Sequence, residues 1–100
     1  MSTVNLVWNA NSEIDLAGYK VYRALGTSAP TLLVTLGKVI TYTDTTIPNV
    51  NQTVAYQLSA FDSKGNESAK CAPVSIVIDV SPPTVPTGLT VSVTVTVTPP

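Results

Sequence analysis

The sequence contains no histidine, a single cysteine and few charged residues, and each shortage excludes a kind of chemistry. Without histidine the chain lacks the commonest general base and the commonest metal ligand. Cys71 has no second cysteine with which to form an internal disulfide bond, and we expect it to be a buried or half-buried small hydrophobic residue. We therefore predict that the protein is not an enzyme and that it has no catalytic, cofactor-binding or metal-binding site.

Charged residues make up 11% of the chain, well below the usual quarter, and the net charge is −1. This balance gives no electrostatic attraction to nucleic acid or to an anionic membrane surface. No segment approaches the roughly 18 apolar residues of a membrane-spanning helix, so we expect no membrane insertion. The first five residues carry neither the basic nor the apolar region of a signal peptide.

Hydrophobic and polar residues alternate with a period of two along most of the chain, which is typical of half-buried β-strands. Val4, Leu6 and Trp8 share one face of the first predicted strand, and residues 53–61 form the clearest one. The other predicted strands cover residues 18–23, 31–36, 40–44 and 74–78. Six short strands separated by turn-forming residues predict an all-β sandwich.

The remaining polar and aromatic residues have mostly structural interpretations. Residues 62–67 only superficially resemble a calcium loop, because the ligand alternation of such a loop is not kept, and we expect a structural turn. Tyr22 lies on the opposite face of its strand from Tyr19, and we expect it to pack on the sandwich surface rather than to bind a ligand. Four aromatic residues are expected in the core: Trp8, Tyr19, Tyr42 and Tyr56.

The composition changes after residue 80. Residues 81–86 are a proline-rich segment, which predicts a stiff, extended linker. Residues 87–100 are almost pure β-branched alternation before the final two prolines. One face of this predicted C-terminal strand is wholly apolar and consists of Leu89, Val91, Val93, Val95 and Val97.

Four segments of the chain, in order, resemble the fibronectin type III domain family. Residues 6–8 resemble its tryptophan-bearing strand B, and residues 15–23 resemble strand C. Residues 42–44 resemble strand E, and residues 56–68 resemble strand F with the F–G turn. The resemblance covers residues 1–80 as strands B to G, and it implies a seven-stranded, immunoglobulin-like antiparallel β-sandwich.

The chain departs from the family pattern at two places. The family usually has a tyrosine at the start of strand F, where its hydroxyl holds the E–F corner, and the corresponding residue here is Val54. Strand A, which should precede the tryptophan strand, is missing at the N-terminal end. Residues 82–91 instead resemble the start of a following domain, so the strand A equivalent stands after strand G.

Three explanations compete for this displaced strand: a fragment cut from a repeat protein, a tail that returns to its own sandwich, and a tail donated to a neighbouring copy. Strands A and G of the family run roughly the same way, so a chain leaving strand G is at the wrong end to begin strand A. A strand of about eight residues spans about 27 Å. Since residues 81–88 reach at most about 27 Å, self-return is barely feasible. Donation requires no such detour, and we favour it.

We accordingly expect a structural protein that assembles head to tail with itself, in a filament or a virion accessory structure. The donor strand would be the apolar face of the tail, and the acceptor edge would hold Val4, Leu6 and Trp8. Other virion or fibre proteins, or a cell-surface receptor, are further candidate partners, and a virion or an extracellular filament is the expected location. The alternative is an adhesion module that binds carbohydrate or protein, as one repeat of a longer extracellular array.

Overall fold

The computed structural model describes residues 2–94, and in this range the chain forms six β-strands and no helix. The strands are β1 (Val4–Val7), β2 (Leu16–Leu25), β3 (Thr31–Leu36), β4 (Thr41–Asp44), β5 (Gln52–Asp62) and β6 (Val74–Ile78). All six lie where the hydrophobic alternation predicts them, and the bounds of β3 and β6 agree to the residue. Accordingly, no described segment is a helix long and apolar enough to cross a membrane.

The strands form two antiparallel sheets. Sheet 1 contains β1 and β4, and sheet 2 has the order β3-β2-β5-β6. In sheet 1, Val4 is opposite Asp44, and in sheet 2 the long strands β2 and β5 pair along almost their whole length. The chain is therefore an all-β protein with two facing sheets, as predicted, but the described residues contain six strands rather than seven.

The hydrophobic core lies between the two sheets. Its most buried side chains come from sheet 2 and from the loop after β4: Tyr19, Val21, Ile47, Val54, Tyr56 and Ile78. Val4 and Leu6 of sheet 1 pack against this cluster while remaining half-buried. The predictions of Tyr19 and Tyr56 as core aromatics are confirmed, whereas Trp8 and Tyr42 are only partly buried.

The segment between Asp62 and Glu67 is the tight turn that the sequence predicts. Asp62 Oδ1 accepts hydrogen bonds from the backbone amides of Lys64 and Asn66, at 3.0 and 2.9 Å. Gly65 adopts a left-handed conformation with a φ of 87°, which glycine adopts without steric cost. These contacts use the Asp62 carboxylate to close the turn.

Candidate functional site

The free edge of β1 is the first component of the candidate site. The Trp8 amide donates a 3.0 Å hydrogen bond to the carbonyl of Ile40, so the backbone groups of Trp8 point toward β4. Successive residues of a strand point these groups to opposite sides, and the N–H and C=O groups of Asn5 and Val7 therefore point away from β4. Within residues 2–94 no strand pairs with that side, which leaves an edge ready for main-chain pairing.

An open groove of about 410 Å³ lies beside this edge, between the two sheets. Its floor is formed by side chains from the sandwich interior, including Val21, Tyr56 and Leu58. The remaining wall comes from β1 and from the segment leading into β6: Asn5, Leu6, Val7, Trp8, Gln57, Cys71 and Val74. Most of these side chains are apolar, and Leu6, Trp8 and Leu58 are only half-buried, so the groove exposes the margin of the core to water.

Trp8 stands at the end of β1 and forms one wall of the groove. Its ring meets the Tyr19 ring edge-on, with centroids 5.4 Å apart, and Tyr19 is opposite Ala60 in sheet 2. The indole Nε1 atom is buried and has no hydrogen-bond partner among the described residues. Buried polar atoms nearly always have a hydrogen-bond partner, so the Trp8 Nε1 atom is an unsatisfied donor in the wall of the groove.

Asp44 ties the two sheets together at the other end of β1. Its Oδ2 accepts hydrogen bonds from the Tyr56 hydroxyl at 2.6 Å and from Arg23 Nη1 at 2.9 Å. Its Oδ1 accepts from the amide and the hydroxyl of Thr46, at 2.9 and 2.7 Å. This network braces the segment between β4 and β5.

The electrostatics of Asp44 follow from this arrangement. Burial alone would raise the pKa of its carboxyl group, but the hydrogen bonds from Tyr56, Thr46 and Arg23 outweigh burial and lower that pKa to about 2. Burial, followed by the adjacent Asp44 carboxylate, raises the pKa of the Tyr56 hydroxyl above its ordinary value of 10.0. Asp44 is thus a charged residue that links the two sheets near the start of β1. The groove extends toward the opposite end of β1, at Trp8.

The C-terminal tail is the second component of the candidate site. Residues 79–94 form no strand, and the described part of its apolar face is exposed, with Leu89, Val91 and Val93 at 91%, 81% and 78%. The molecule measures 97 × 26 × 19 Å, and its radius of gyration is 24.7 Å, against about 13 Å for a compact chain of this length. The tail therefore projects from the sandwich, whereas Val95 and Val97 of the predicted donor strand lie outside the described residues.

The root of the tail is held at one place. Asn51, in the loop before β5, accepts a 2.7 Å hydrogen bond from the Val80 amide through Oδ1. Its Nδ2 donates to the Ser81 hydroxyl, and the Ser81 amide donates a 2.9 Å bond to Asp79 Oδ1. This anchor lies just beyond the Gln52–Ile78 pair, at the end of the sandwich away from Trp8.

Cys71 lies at the rim of the groove and is exposed, so the expectation that it is buried or half-buried is wrong. Its amide bonds to the carbonyl of Leu58 at 2.9 Å, and its Sγ accepts a 3.3 Å bond from the Leu58 amide. The backbone here follows β5 without forming a regular strand. The side chain is exposed because nothing among residues 2–94 covers this part of the groove.

The outer face of sheet 2 carries a separate polar cluster around Glu67. Glu67 Oε2 accepts hydrogen bonds from the Tyr22 and Ser59 hydroxyls, and Oε1 lies 3.5 Å from Lys20 Nζ. The bonds from Ser59 and Tyr22, with a smaller contribution from Lys20, lower the pKa of the Glu67 carboxyl to about 2. Lys70 Nζ lies 4.3 Å from the centre of the Tyr22 ring. Tyr22 thus packs on the sandwich surface, as expected.

Comparison with protein-family models, with curated proteins and with solved structures found no match. The functional argument therefore rests on the geometry of this chain: an open apolar groove with a free strand edge, and an exposed apolar tail rooted at the opposite end.

Proposed function

We propose that the chain is a fibronectin type III-like structural subunit that assembles head to tail with copies of itself, in a filament or a virion accessory structure. Each subunit donates its C-terminal tail to the free edge of β1 in the next subunit. The single observation that carries the proposal is that, among the described residues, an apolar groove stays open while the alternating apolar residues of the tail are exposed to water.

The chemistry of the two surfaces is complementary. Val4, Leu6 and Trp8 present their side chains to the interior beside the free backbone groups of Asn5 and Val7. A tail strand paired with those groups would direct every second side chain into the groove. Burying each of Leu89, Val91 and Val93 is worth about 1.5–3 kcal/mol, in addition to the main-chain hydrogen bonds.

The placement of the two components supports an open-ended assembly. The tail leaves the sandwich beyond the Gln52–Ile78 pair, while the groove extends from the Tyr56–Val74 pair toward Trp8. A neighbour stacked along the long axis would therefore receive the tail at its Trp8 end, with the donated strand antiparallel to β1. Such a head-to-tail contact does not close on itself, and it produces a chain of subunits.

The strand pairing also supports the family resemblance on which the proposal draws. The strands assigned to B and E pair in sheet 1, and those assigned to C, F and G lie in sheet 2, as in immunoglobulin-like sandwiches. Among residues 2–94, no strand occupies the side of β1 where strand A would lie. The donated tail would take that position and complete a seven-stranded sandwich.

The test is sedimentation velocity, with electron microscopy, on the full chain and on a chain that lacks Thr87–Pro100. We expect the full chain to form a concentration-dependent series of oligomers and the shortened chain to stay monomeric. A peptide covering residues 82–100 should bind the shortened chain and shift the fluorescence of Trp8, the sole tryptophan. A peptide with the same residues but with valine and threonine positions exchanged is the matched control.

Two outcomes would contradict the proposal. A full chain that remains monomeric at all concentrations would exclude donation between copies. Oligomers that persist after deletion of the tail would mean that a different surface joins the subunits. If the full chain stays monomeric and binds a carbohydrate or protein receptor, the adhesion module is favoured instead.

A further inference from the structure

A chain that carries both a donor strand and its acceptor groove can pair them within one molecule or between two molecules. The hydrogen bonds at Asn51 affect which of these two events occurs. A tail tethered to its own groove is present there at an effective concentration in the millimolar range when the linker can span the distance. At micromolar protein concentration, self-completion would then prevail over donation. Assembly between copies therefore requires that the geometry of the chain prevent self-return.

The root of the tail supplies such a geometry. Asn51 bonds to two successive residues, Val80 and Ser81, and Asp79 accepts a hydrogen bond from the Ser81 amide. These contacts fix the direction in which the chain leaves β6. Pro82 follows immediately, and consecutive prolines hold the backbone extended, so the chain cannot reverse within the next few residues.

The distance to the groove reinforces this constraint. The anchor lies past the Gln52–Ile78 pair, whereas a strand antiparallel to β1 must begin at the Trp8 end of the groove. Trp8 packs on Tyr19, whose partner Ala60 is eight residues from Gln52 along β5, or about 26 Å. A returning tail would have to reverse at Ser81 and run back along the sandwich before its first apolar residue reached the groove. The described tail instead continues away from the sandwich, with Val85 83% exposed.

We propose that Asn51 is a specificity-determining residue that directs the tail away from its own groove and toward the groove of a second copy. This inference rests on the proposed function, because it concerns which groove the tail enters. Asn51 acts through the tail root and does not itself contact the donated strand. Its loss would let the segment after β6 change direction, so that self-completion competes with assembly.

Cross-linking to Cys71 distinguishes the two destinations of the tail, because this exposed thiol lines the groove. Three separate variants each place a second cysteine in the tail: Leu89→Cys, Val91→Cys and Val93→Cys. Each variant would be oxidised mildly at a protein concentration of about 1 µM and at a hundredfold higher concentration. On a non-reducing gel, donation gives a ladder of covalent oligomers and self-return gives a fast-migrating, internally bridged monomer. The ratio of the two products is the measured quantity.

With Asn51 intact we expect mainly the ladder. Asn51→Ala should raise the fraction of internally bridged monomer several-fold at the lower concentration, and Ser81→Ala, which removes only one bond, should raise it less. Asn49→Ala is the matched control, since Asn49 is exposed in the same loop and makes no side-chain hydrogen bond among residues 2–94. Circular dichroism of each variant verifies that the sandwich is folded.

The failures of the two proposals are distinguishable. A ladder whose ratio to bridged monomer is the same in Asn51→Ala and Asn49→Ala would overturn the role of Asn51 and leave donation intact. Bridged monomer as the main product with Asn51 intact would overturn both, since the tail would then complete its own sandwich. If all three cysteine variants give neither the ladder nor the bridged monomer, the tail does not enter the groove, and both proposals are overturned.

Discussion

The Tyr56 hydroxyl donates a 2.6 Å hydrogen bond to Asp44 Oδ2, and this bond joins β5 of sheet 2 to β4 of sheet 1. Arg23, opposite Tyr56 in the neighbouring strand, bonds to the same oxygen at 2.9 Å. The Asp44 side chain is fully buried, so its charge is compensated entirely by these partners and Thr46. With sheet 1 reduced to two strands, we infer that this contact is a main determinant of how the sheets are held together.

Removal of the buried carboxylate should therefore be costly. Asp44→Ala leaves Arg23 and the Tyr56 hydroxyl without their partner, and we expect a loss of about 3–5 kcal/mol in the free energy of unfolding. Tyr56→Phe removes one hydrogen bond to a charged group and should cost about 1.5–3 kcal/mol. Urea titration of dilute protein measures both changes. An Asp44→Ala variant as stable as the parent would contradict the network's role.

The free energy of unfolding should decrease in acid, because protonation of Asp44 weakens its hydrogen bonds in the folded state. Its folded-state pKa of about 2 lies below the ordinary value of 3.8, so the carboxylate stabilises the folded state above about pH 4, and this contribution of about 2 kcal/mol is lost as the pH falls through 2. Glu67, with its pKa lowered to about 2, adds to the same loss. Urea midpoints between pH 2 and 6 should show a flatter profile in Asp44→Asn. Glu67→Gln separates the surface contribution, and an unchanged slope in Asp44→Asn would contradict the assignment.

Gly18 should not tolerate even an alanine. A β-carbon at this position would overlap the carbonyl oxygen of Leu36, and it would lie 3.0 Å from both the Leu36 carbonyl carbon and the Phe61 ring. We expect Gly18→Ala to lower the unfolding free energy by about 1–3 kcal/mol, because β3 or Phe61 must move away. Gly37→Ala is the control, since its β-carbon would meet no heavy atom within 4 Å. Equal midpoints of thermal unfolding for the two variants would contradict this prediction, because they would show that β3 and Phe61 accommodate the methyl group without loss of stability.

Assembly should respond to alternate residues of the tail. Val91→Asp and Val93→Asp place a charge where the proposed groove is apolar, and each should weaken association at least tenfold, because the lost burial alone is worth about 1.5–3 kcal/mol. Thr90→Asp and Ser92→Asp carry the same charge on the other face and should change association much less. Sedimentation velocity compares the four variants, and equal weakening by both pairs would mean that the tail does not bind as a strand with one buried face.

Much of the fold was predictable because strand signals are local. The predicted strand 31–36 is identical to observed β3, and Tyr56, which the sequence places in the core, lies on the buried face of β5. The burial expected for Cys71 is wrong, because it depends on whether residues far away in the chain cover the side chain, and none of residues 2–94 does. The Asp44 network was not foreseen, because its members are brought together only by the packing of one sheet on the other.

The sequence by itself determined the all-β class, the positions of six strands and the two-faced character of the C-terminal tail. Each of these follows from alternation between neighbouring residues, which a strand converts directly into opposite faces. The tertiary structure alone decided which edge of β1 is free, where the apolar groove opens and how Asn51 orients the tail root. These features depend on pairing and packing between residues far apart in the chain, for which no local pattern exists.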